Sequence, residues 1–391
     1  MRKRIAVCGC HHMRGGTEMA MFRMMSLLCR QGCDVVFVTR ANIKVMRDLL
    51  PKGVTVAYVS ADSVLSRFLG TLPMEGDHPE WWMRLVRKTL YLLSGKRNHL
   101  AFAYAGRHLT GLPAGSFDAV LDFEGYNHIN TVIGGRIGAP VHATWVHNED
   151  VDLKDTYRCL ARCYDRIFCV SDTALEAFVR QYPRLADRAR VLHNPVDVDR
   201  VRRKAMLAVT PPSTQMSAAA LRIVTVCRLA SEKNLALSVR IAAMLRDRGL
   251  PFLWEVYGEG ASRDELQTLI DELGLNERFL LRGEVSNPYP YMKQADVYVQ
   301  TSRHEGFGLT VQEAKILGIP AVVTDIPAFR EQIVDGQTGF IRAADAESFA
   351  DAIIRLADHP EERQRITNNL AALDWTDAQD ESPLFELLGL R

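Results

Sequence analysis

Residues 302–314 read SRHEGFGLTVQEA and place two carboxylates, Glu305 and Glu313, eight positions apart around a Gly-x-Gly turn. Apolar residues 297–299 predict a strand before this stretch, and the apolar positions within 311–317 predict a helix after it. Glycines let a backbone approach a ligand closely, and the free N–H groups at a helix start favour negative charge. A phosphate repels a carboxylate, so we expect the two glutamates to accept hydrogen bonds from hydroxyls. A sugar nucleotide combines phosphates and hydroxyls in one molecule.

Length and composition predict a globular protein with two domains. A chain of 391 residues is too long for one ordinary core, and 47% hydrophobic with 24% charged residues is typical of globular proteins. The net charge of +1 argues against a nucleic-acid partner. The sequence has no run of about twenty apolar residues and no signal-peptide core, so we expect a cytoplasmic location with reduced thiols.

Strands and helices alternate along both halves of the chain, which predicts parallel sheets covered by helices. We expect a first domain over 1–205, a second over 218–374 with a polar linker before it, and a tail over 375–391. The predicted strands are 4–8, 33–39, 54–59, 119–123, 141–146 and 167–170 in the first half, and 222–226, 252–257, 279–282, 296–300 and 321–324 in the second.

The segment 60–110 departs from this alternation. Residues 81–110 contain six Lys or Arg and no Asp or Glu, mixed with aromatic residues. This mixture suits a helix lying on an anionic membrane, so we expect peripheral contact at the inner face of the membrane through 81–110. The alternative is an insertion packed on the first domain with a solvated basic face.

Residues 302–314 resemble the paired-glutamate E-x7-E motif of the retaining family 4 glycosyltransferases, which have the GT-B fold. The resemblance covers most of the chain, is strongest over 222–341, and continues through 318–325 and 331–339. It implies an α/β protein with two Rossmann-like domains whose parallel sheets face a central cleft. The first domain would lie on the acceptor side and the second would bind the nucleotide sugar, with the tail crossing back as a helix to the first.

Arg228 and Lys233 follow the first predicted strand of the second domain and resemble the family's basic pair. Arg228 offers a planar fork for two phosphate oxygens, and Lys233 adds a point charge. The resemblance implies that both assist the departing diphosphate. The plainer alternative is a surface Arg and Lys on a turn.

In the first domain, Gly15 and Gly16 enter a predicted helix and resemble the family's N-terminal glycine pair, although the G-x-G-x-x-G of dinucleotide-binding proteins is absent. His147 follows a predicted strand and resembles the family's histidine near the donor sugar. A lone histidine is often structural, but the end of a strand in an α/β sheet is where ligands bind.

By resemblance, Glu313 holds the ribose hydroxyls and Glu305 faces the donor-sugar hydroxyls, whereas the residues alone do not say which glutamate does which. Gly283 and Val285 would frame the nucleobase. The implied catalytic set is His147, Arg228, Lys233 and Glu305, and the implied donor-binding set is Gly15, Gly16, Gly283, Val285, Glu305, Gly306, Phe307, Gly308, Leu309 and Glu313.

We expect no metal and no cofactor. Residues 8–12, CGCHH, look like a metal cluster, but no second ligand pair at zinc-type spacing appears, so small residues at a strand end explain them better. By resemblance, Arg, Lys and a helix end replace a metal.

The expected activity is therefore retaining transfer of a sugar from a nucleotide-sugar donor, UDP-sugar favoured, to a glycan or lipid-linked glycan in surface polysaccharide synthesis. We see no carboxylate nucleophile placed on the opposite face of the sugar, which favours front-face substitution. The alternatives are a nucleotide-sugar-binding module without catalysis and a GT-B sugar-nucleotide epimerase.

Overall fold

The computed structural model shows two compact units, each described here by itself: Met1–Val196 together with Ala378–Arg391, and Asp197–Asp377. The described residues are 2–9, 16–40, 50–61, 107–125, 129–149, 151–153, 156–208, 220–375 and 380–390. The expected α/β class with two parallel sheets is confirmed.

The first unit holds a seven-stranded parallel sheet in the order β3-β2-β1-β6-β7-β8-β9. Strands β4 and β5 form a separate antiparallel ribbon. The strands are β1 (Arg4–Cys8), β2 (Asp34–Thr39), β3 (Thr55–Tyr58), β4 (Ser60–Ala61), β5 (Leu109–Thr110), β6 (Ala119–Asp122), β7 (His142–Val146), β8 (Arg166–Cys169) and β9 (Ala189–Val191). The α-helices described before the second unit are α1 (Gly16–Arg30), α2 (Ile129–Gly134), α3 (Tyr157–Cys163) and α4 (Asp172–Gln181).

Strand β1 is an example of the burial expected for a parallel sheet. Its residues from Ile5 to Cys8 are all fully buried, as expected when helices cover both faces of a sheet. Helix α4 begins where Ser171 caps it, because the Ser171 side chain accepts a hydrogen bond from the Ala174 amide.

The second unit holds a six-stranded parallel sheet in the order β12-β11-β10-β13-β14-β15. Its strands are β10 (Leu221–Val226), β11 (Phe252–Tyr257), β12 (Phe279–Gly283), β13 (Val297–Gln300), β14 (Ala321–Thr324) and β15 (Gly339–Arg342). Its helices are α5 (Val198–Ala205), α6 (Leu235–Asp247), α7 (Arg263–Glu272), α8 (Tyr289–Lys293), α9 (Leu309–Ile316), α10 (Pro327–Arg330), α11 (Ala346–Asp358) and α12 (Pro360–Ala371).

One core fills the space between this sheet and helices α6 and α11. Trp254 and Phe279 lie at its centre with ring centroids 5.2 Å apart, and both are almost fully buried. The Trp254 indole donates to the Thr225 hydroxyl at 3.0 Å, so the polar atom of this large side chain is satisfied inside the core.

Each sheet reverses its strand order once, between β1 and β6 in the first unit and between β10 and β13 in the second. The connections on the two sides of such a reversal leave in opposite directions and open a crevice at the carboxyl ends of the strands. We call these two places the first and second switch points. The loops after β10 and β13, and those after β1 and β6, are therefore where a ligand is expected.

The sequence-predicted strands are all present, with ends shifted by at most two residues. The edge strands β9 and β15 and the short ribbon strands β4 and β5 were not predicted. The boundary between the units in the chain falls between Val196 and Asp197 rather than near residue 205, because α5 packs on α8 and α9 of the second unit.

The C-terminal helix α13 (Ser382–Leu388) belongs to the first unit, with Leu384 and Leu388 buried. The predicted linker over 210–217 and most of the basic segment 81–110 lie outside the described residues. Among the residues that are described, no helix is both long and apolar enough to cross a membrane.

Candidate active site

The second switch point brings together two residues of the predicted site. Lys233 Nζ lies 2.7 Å from Glu305 Oε1, although the two residues are 72 positions apart. Their side chains are only 17% and 12% exposed, so water screens this ion pair less than an ordinary surface pair. The pair joins the loop after β10 to the loop after β13.

A chain of hydrogen bonds fixes the orientation of Glu305. The Ser302 hydroxyl donates to Glu305 Oε1 at 2.8 Å, and the Gln300 amide donates to Ser302 Oγ at 2.8 Å. The Tyr298 hydroxyl donates to Gln300 Oε1 at 2.8 Å and lies 2.8 Å from Thr310 Oγ1. A phenol carries one proton, so Thr310 acts as the donor in the last contact.

Tyr298 is fully buried and lies at the centre of this network. Its hydroxyl is also 3.3 Å from the carbonyl of Val226, the last residue of β10. One phenol therefore connects the end of β10, the Glu305 loop and the first turn of α9. The sequence analysis missed this residue and Gln300. The available signal was polar atoms inside an otherwise apolar strand.

Arg228 lies at the surface of the same loop. Its guanidinium is 2.8 Å from Glu232 Oε1, and its side chain is 49% exposed. Such exposed pairs contribute about 0–1 kcal/mol, so an arriving phosphate can replace Glu232 at little cost. Arg303 ties the two loops together, because its amide donates to the Glu232 carbonyl at 2.8 Å.

Gly308 starts helix α9 in a conformation that other residues avoid. Its φ is 85°, and an added Cβ would lie 2.6 Å from Cε1 of Phe329. The Gln332 amide donates to the carbonyl of Phe307 just before it. The first N–H groups of α9, from Leu309 onward, therefore start next to the Glu305 loop, where the helix dipole favours an anion.

Glu313 is the fifth residue of α9 and is only 6% exposed. The Tyr289 hydroxyl donates to Glu313 Oε1 at 2.8 Å. The second glutamate of the motif is thus a buried carboxylate held by a phenol, whereas the first is held by an ammonium group and a hydroxyl.

The predicted nucleobase residues lie at the edge formed by β11 and β12. Gly283 ends β12, and its carbonyl accepts from the Gly258 amide at 2.9 Å. Val285 follows and is half-buried. Tyr257, the last residue of β11, stacks on Tyr291 with centroids 4.6 Å apart, a pair that was not predicted from the sequence.

In the first unit, Gly16 is the first residue of α1, and Gly15 lies outside the described residues. His147 follows β7 and is half-buried. Its Nε2 donates to the carbonyl of Phe123, and the two rings pack with centroids 5.1 Å apart. His147 therefore lies beside the turn after β6, next to the first switch point.

Asp122, the last residue of β6, was also missed by the sequence analysis. It is fully buried, and burial raises the pKa of its carboxyl from 3.8 to about 7. Its Oδ2 accepts from the Thr144 hydroxyl at 3.0 Å and its Oδ1 from the Gly125 amide at 3.3 Å. The signal in the sequence was an acid at the end of the apolar strand AVLD.

Two described cysteines near the switch points, Cys8 and Cys227, are protonated. Burial raises the pKa of the Cys227 thiol to about 12, and burial followed by the charges of Asp122 and Glu124 raises that of Cys8. Neither can serve as a thiolate nucleophile at neutral pH.

Among the described residues, no group of three or more His, Cys, Asp or Glu could hold a metal ion. Cys10, His11 and His12 lie outside them.

Residues 216–372 match the family model described as "Glycosyl transferases group 1". This region contains both loops of the second switch point.

Known proteins match over part of the chain. The α-D-kanosaminyltransferase of Streptomyces kanamyceticus is 32% identical over 154 residues, which cover 39% of this chain and 40% of that protein. An N-acetylgalactosaminyltransferase of Campylobacter jejuni, which acts on N-acetylgalactosamine-N,N'-diacetylbacillosaminyl-diphospho-undecaprenol, is 32% identical over 186 residues, 47% of this chain and 48% of that protein. The matches thus span less than half the length of these relatives.

Solved structures match over the whole chain. Anabaena Alr3699/HepE in complex with UDP superposes with a TM-score of 0.67 at 16% identity and covers 99% of each chain. Staphylococcus aureus TarM, also solved with UDP, gives a TM-score of 0.70 at 13% identity and again covers 99% of each chain. The expected GT-B fold of this chain is confirmed.

Proposed function

We propose that this chain is a retaining glycosyltransferase of the family 4 type that transfers a sugar from a nucleotide-sugar donor, UDP-sugar favoured, to a glycan or lipid-linked glycan. The observation that carries the proposal is the Lys233–Glu305 pair at the second switch point, next to the start of α9. This site lies within the segment that matches the glycosyltransferase family model.

The donor diphosphate would bind between the cations of the loop after β10 and the start of α9. Arg228 would leave the half-buried carboxylate of Glu232 and bind phosphate oxygens with its fork, while Lys233 keeps one N–H on Glu305 and offers another. The N–H groups at the start of α9 would stabilise the charge that develops on the leaving diphosphate. The proposal therefore includes no metal and no cofactor.

The hydroxyls of the donor would bind the two glutamates. Ser302 and Lys233 both reach Oε1 of Glu305, so Oε2 is the oxygen assigned to the sugar hydroxyls. Glu313, held by Tyr289, would accept from the ribose. The backbone of Gly306, Phe307, Gly308 and Leu309 would contact the sugar and phosphates, and Gly283 and Val285 would contact the base. The roles of Gly15, Gly16 and His147 in donor binding stay predictions.

We propose front-face substitution as the reaction. The bond between the anomeric carbon and the diphosphate oxygen breaks, the acceptor oxygen bonds to that carbon from the same face, and its proton passes to the departing phosphate oxygen. Glu305 is already engaged by an ammonium and a hydroxyl, which disfavours it as a nucleophile. A covalent sugar on Glu305, trapped with a fluorinated donor and detected by mass spectrometry, would contradict this mechanism.

Support for the donor and acceptor classes comes from similar proteins. HepE and TarM were solved with UDP, and the Campylobacter relative acts on an undecaprenol-linked glycan. We propose a surface-polysaccharide role on that basis.

Contact with an anionic membrane through 81–110 stays a prediction, tested by flotation with vesicles of phosphatidylglycerol at low salt. Protein that stays at the bottom of the gradient would exclude the contact.

The direct test is turnover of UDP-, GDP-, ADP- and CDP-sugars in water, followed by mass spectrometry. We expect slow hydrolysis of one donor, and loss of that hydrolysis in Lys233→Ala. The matched control is Lys293→Ala, which removes an exposed lysine of the same unit. Binding without hydrolysis, even with oligosaccharide acceptors added, would indicate a binding module instead.

A further inference from the structure

A four-residue turn, Asp122–Gly125, contacts His147 in two ways. The carbonyl of Phe123 accepts a hydrogen bond from His147 Nε2, and the Phe123 ring packs on the imidazole at 5.1 Å. A carbonyl cannot donate, so Nε2 must carry the proton. The turn therefore sets both the direction of the ring and its tautomer.

The side chain of Asp122 anchors this turn. Its Oδ1 accepts from the amide of Gly125, which closes the turn, and its Oδ2 accepts from the Thr144 hydroxyl on β7. The Thr131 hydroxyl donates to the Gly125 carbonyl at 3.0 Å from α2. Both ends of the turn are thus tied to neighbouring elements.

Gly125 brings the turn against β7 immediately before His147. Its φ is 82°, and an added Cβ would lie 2.0 Å from the carbonyl oxygen of Trp145. A backbone this close transmits any movement of the turn to the strand end that carries His147. The coupling runs through direct contacts over residues 122–125 and 144–147.

The surroundings of Asp122 make its charge costly. Among the described residues, the titratable groups that face it are Cys8 on β1, Glu124 in the turn, Cys159 on α3, and Tyr164 just after α3, each of which is neutral or acidic. Burial raises the pKa of the Tyr164 hydroxyl, so that group stays protonated. Among the described residues, hydrogen bonds from Thr131, Thr144 and Gly125 lower the pKa of the Asp122 carboxyl and offset part of the effect of its burial.

We propose that Asp122 is a positioning residue for His147: its ionised carboxylate holds the Asp122–Gly125 turn, and the turn holds the imidazole in one orientation and one tautomer. The inference rests on the proposed function for the role of His147. The ionised carboxylate accepts from Thr144 and Gly125 together. A protonated carboxyl carries its own proton toward these donors, loses one of the two bonds and loosens the turn.

Nuclear magnetic resonance tests the link without any substrate. In protein labelled with ¹⁵N, we expect the Gly125 amide and the His147 Nε2 proton to shift together with a midpoint near pH 7. The histidine signal is assigned by its loss in His147→Ala. Asp122→Asn removes the shared step. A Gly125 amide that titrates without a response from His147 Nε2, or an unchanged histidine signal in Asp122→Asn, would overturn the proposal.

Turnover of the sugar nucleotide that the wild type hydrolyses gives the second test. We expect Asp122→Asn to lower kcat by about tenfold to a hundredfold, the range for lost outer hydrogen bonds that orient a histidine. The dissociation constant of UDP should change by less than about twofold, since no residue of the second unit is altered. Turnover should fall at low pH, where Asp122 becomes protonated, and this fall is the acidic limb of the pH profile. Thr144→Val removes one hydrogen-bond donor, which raises the pKa of Asp122 further and should move that limb to higher pH.

Asp118→Asn is the matched control. Asp118 immediately precedes β6 but lies at its other end, where its carboxylate is exposed and accepts from the Arg4 amide at 2.7 Å. We expect this variant to leave kcat and the His147 signal unchanged. An acidic limb that persists in Asp122→Asn contradicts the proposal. Absence of turnover in the wild type, with the shared titration intact, would instead refute the proposed function and leave the Asp122–His147 link in place.

Discussion

The two switch points occupy the same place in two similar sheets but are held together by different chemistry. The second is assembled around a largely buried ion pair, Lys233–Glu305. The first is assembled around a buried carboxylate, Asp122, that no ligand needs to touch. We therefore propose that charge serves binding in the second unit and positioning in the first. The comparison teaches that a polar group at a strand end can act through the turn it holds.

The largest effect is expected at the second switch point. Lys233→Ala and Glu305→Gln should each lower turnover by about 10²–10³, because each removes a charged group from the leaving diphosphate or its support. Steady-state hydrolysis of the donor measures this, with Lys293→Ala unchanged. Equal losses of turnover from Lys233→Ala and Lys293→Ala would show that the Lys233–Glu305 ion pair has no specific role in turnover.

Substitution of the glycines at the two switch points by alanine should lower the unfolding free energy by different amounts. An added Cβ at Gly308 meets a Phe329 ring that can shift, whereas at Gly125 it meets the backbone of Trp145. Gly336 has a similar φ of 72° with open space around its Cβ position and is the control. We expect losses of unfolding free energy of about 1–2 kcal/mol for Gly336→Ala, about 2–4 kcal/mol for Gly308→Ala, and more for Gly125→Ala.

Urea denaturation of the three variants provides the measurement. If Gly125→Ala cost no more than Gly336→Ala, the tight contact between the turn and β7 would be absent in solution. The structural link from Asp122 to His147 would then lose its basis.

The pH dependence of stability should also distinguish the two regions. The pKa of Asp122 is about 7 in the folded chain against 3.8 when unfolded, so the folded state holds its proton more tightly. Its contribution to the unfolding free energy is therefore largest at low pH and falls as pH rises from about 4 to about 7. Between pH 5 and 8 this loss amounts to about 2–3 kcal/mol.

Urea unfolding at pH 5 and pH 8 tests this contribution. Asp122→Asn should lack the loss, so its stability relative to the wild type should improve at pH 8 while its turnover falls. A residue that only stabilised the fold would show both quantities falling together. Parallel pH curves for the two proteins would mean that Asp122 does not titrate in this range.

The smallest effect is expected from Tyr298→Phe. This change keeps the packing but removes the hydroxyl that joins Gln300, Thr310 and the end of β10. We expect kcat to fall by about tenfold, the equivalent of one hydrogen bond of about 1.4 kcal/mol. Tyr182→Phe, which removes a hydroxyl bonded to the Leu153 amide in the first unit, is the control. A Tyr298→Phe enzyme with normal kcat would make the network purely structural.

The sequence predicts the fold well because the alternation of apolar strands and helices is a local pattern. The residues 302–314 also predict a sugar-nucleotide site, since turn, helix start and carboxylates are neighbours in the chain. Lys233 and Glu305 were both predicted, but their direct contact was not, because it depends on β10 and β13 being adjacent in the sheet. Asp122 and Tyr298 were missed for a related reason: a polar residue in a buried strand shows no partner until the neighbouring elements are known.

The most direct test of the account is the binding of UDP, GDP, ADP and CDP by isothermal titration calorimetry to the wild type, Lys233→Ala and Asp122→Asn. The account predicts that one diphosphate binds, that Lys233→Ala weakens it by about tenfold to a hundredfold, and that Asp122→Asn leaves it unchanged. If no diphosphate binds, or if Lys233→Ala binds as tightly as the wild type, the second switch point is not the donor site.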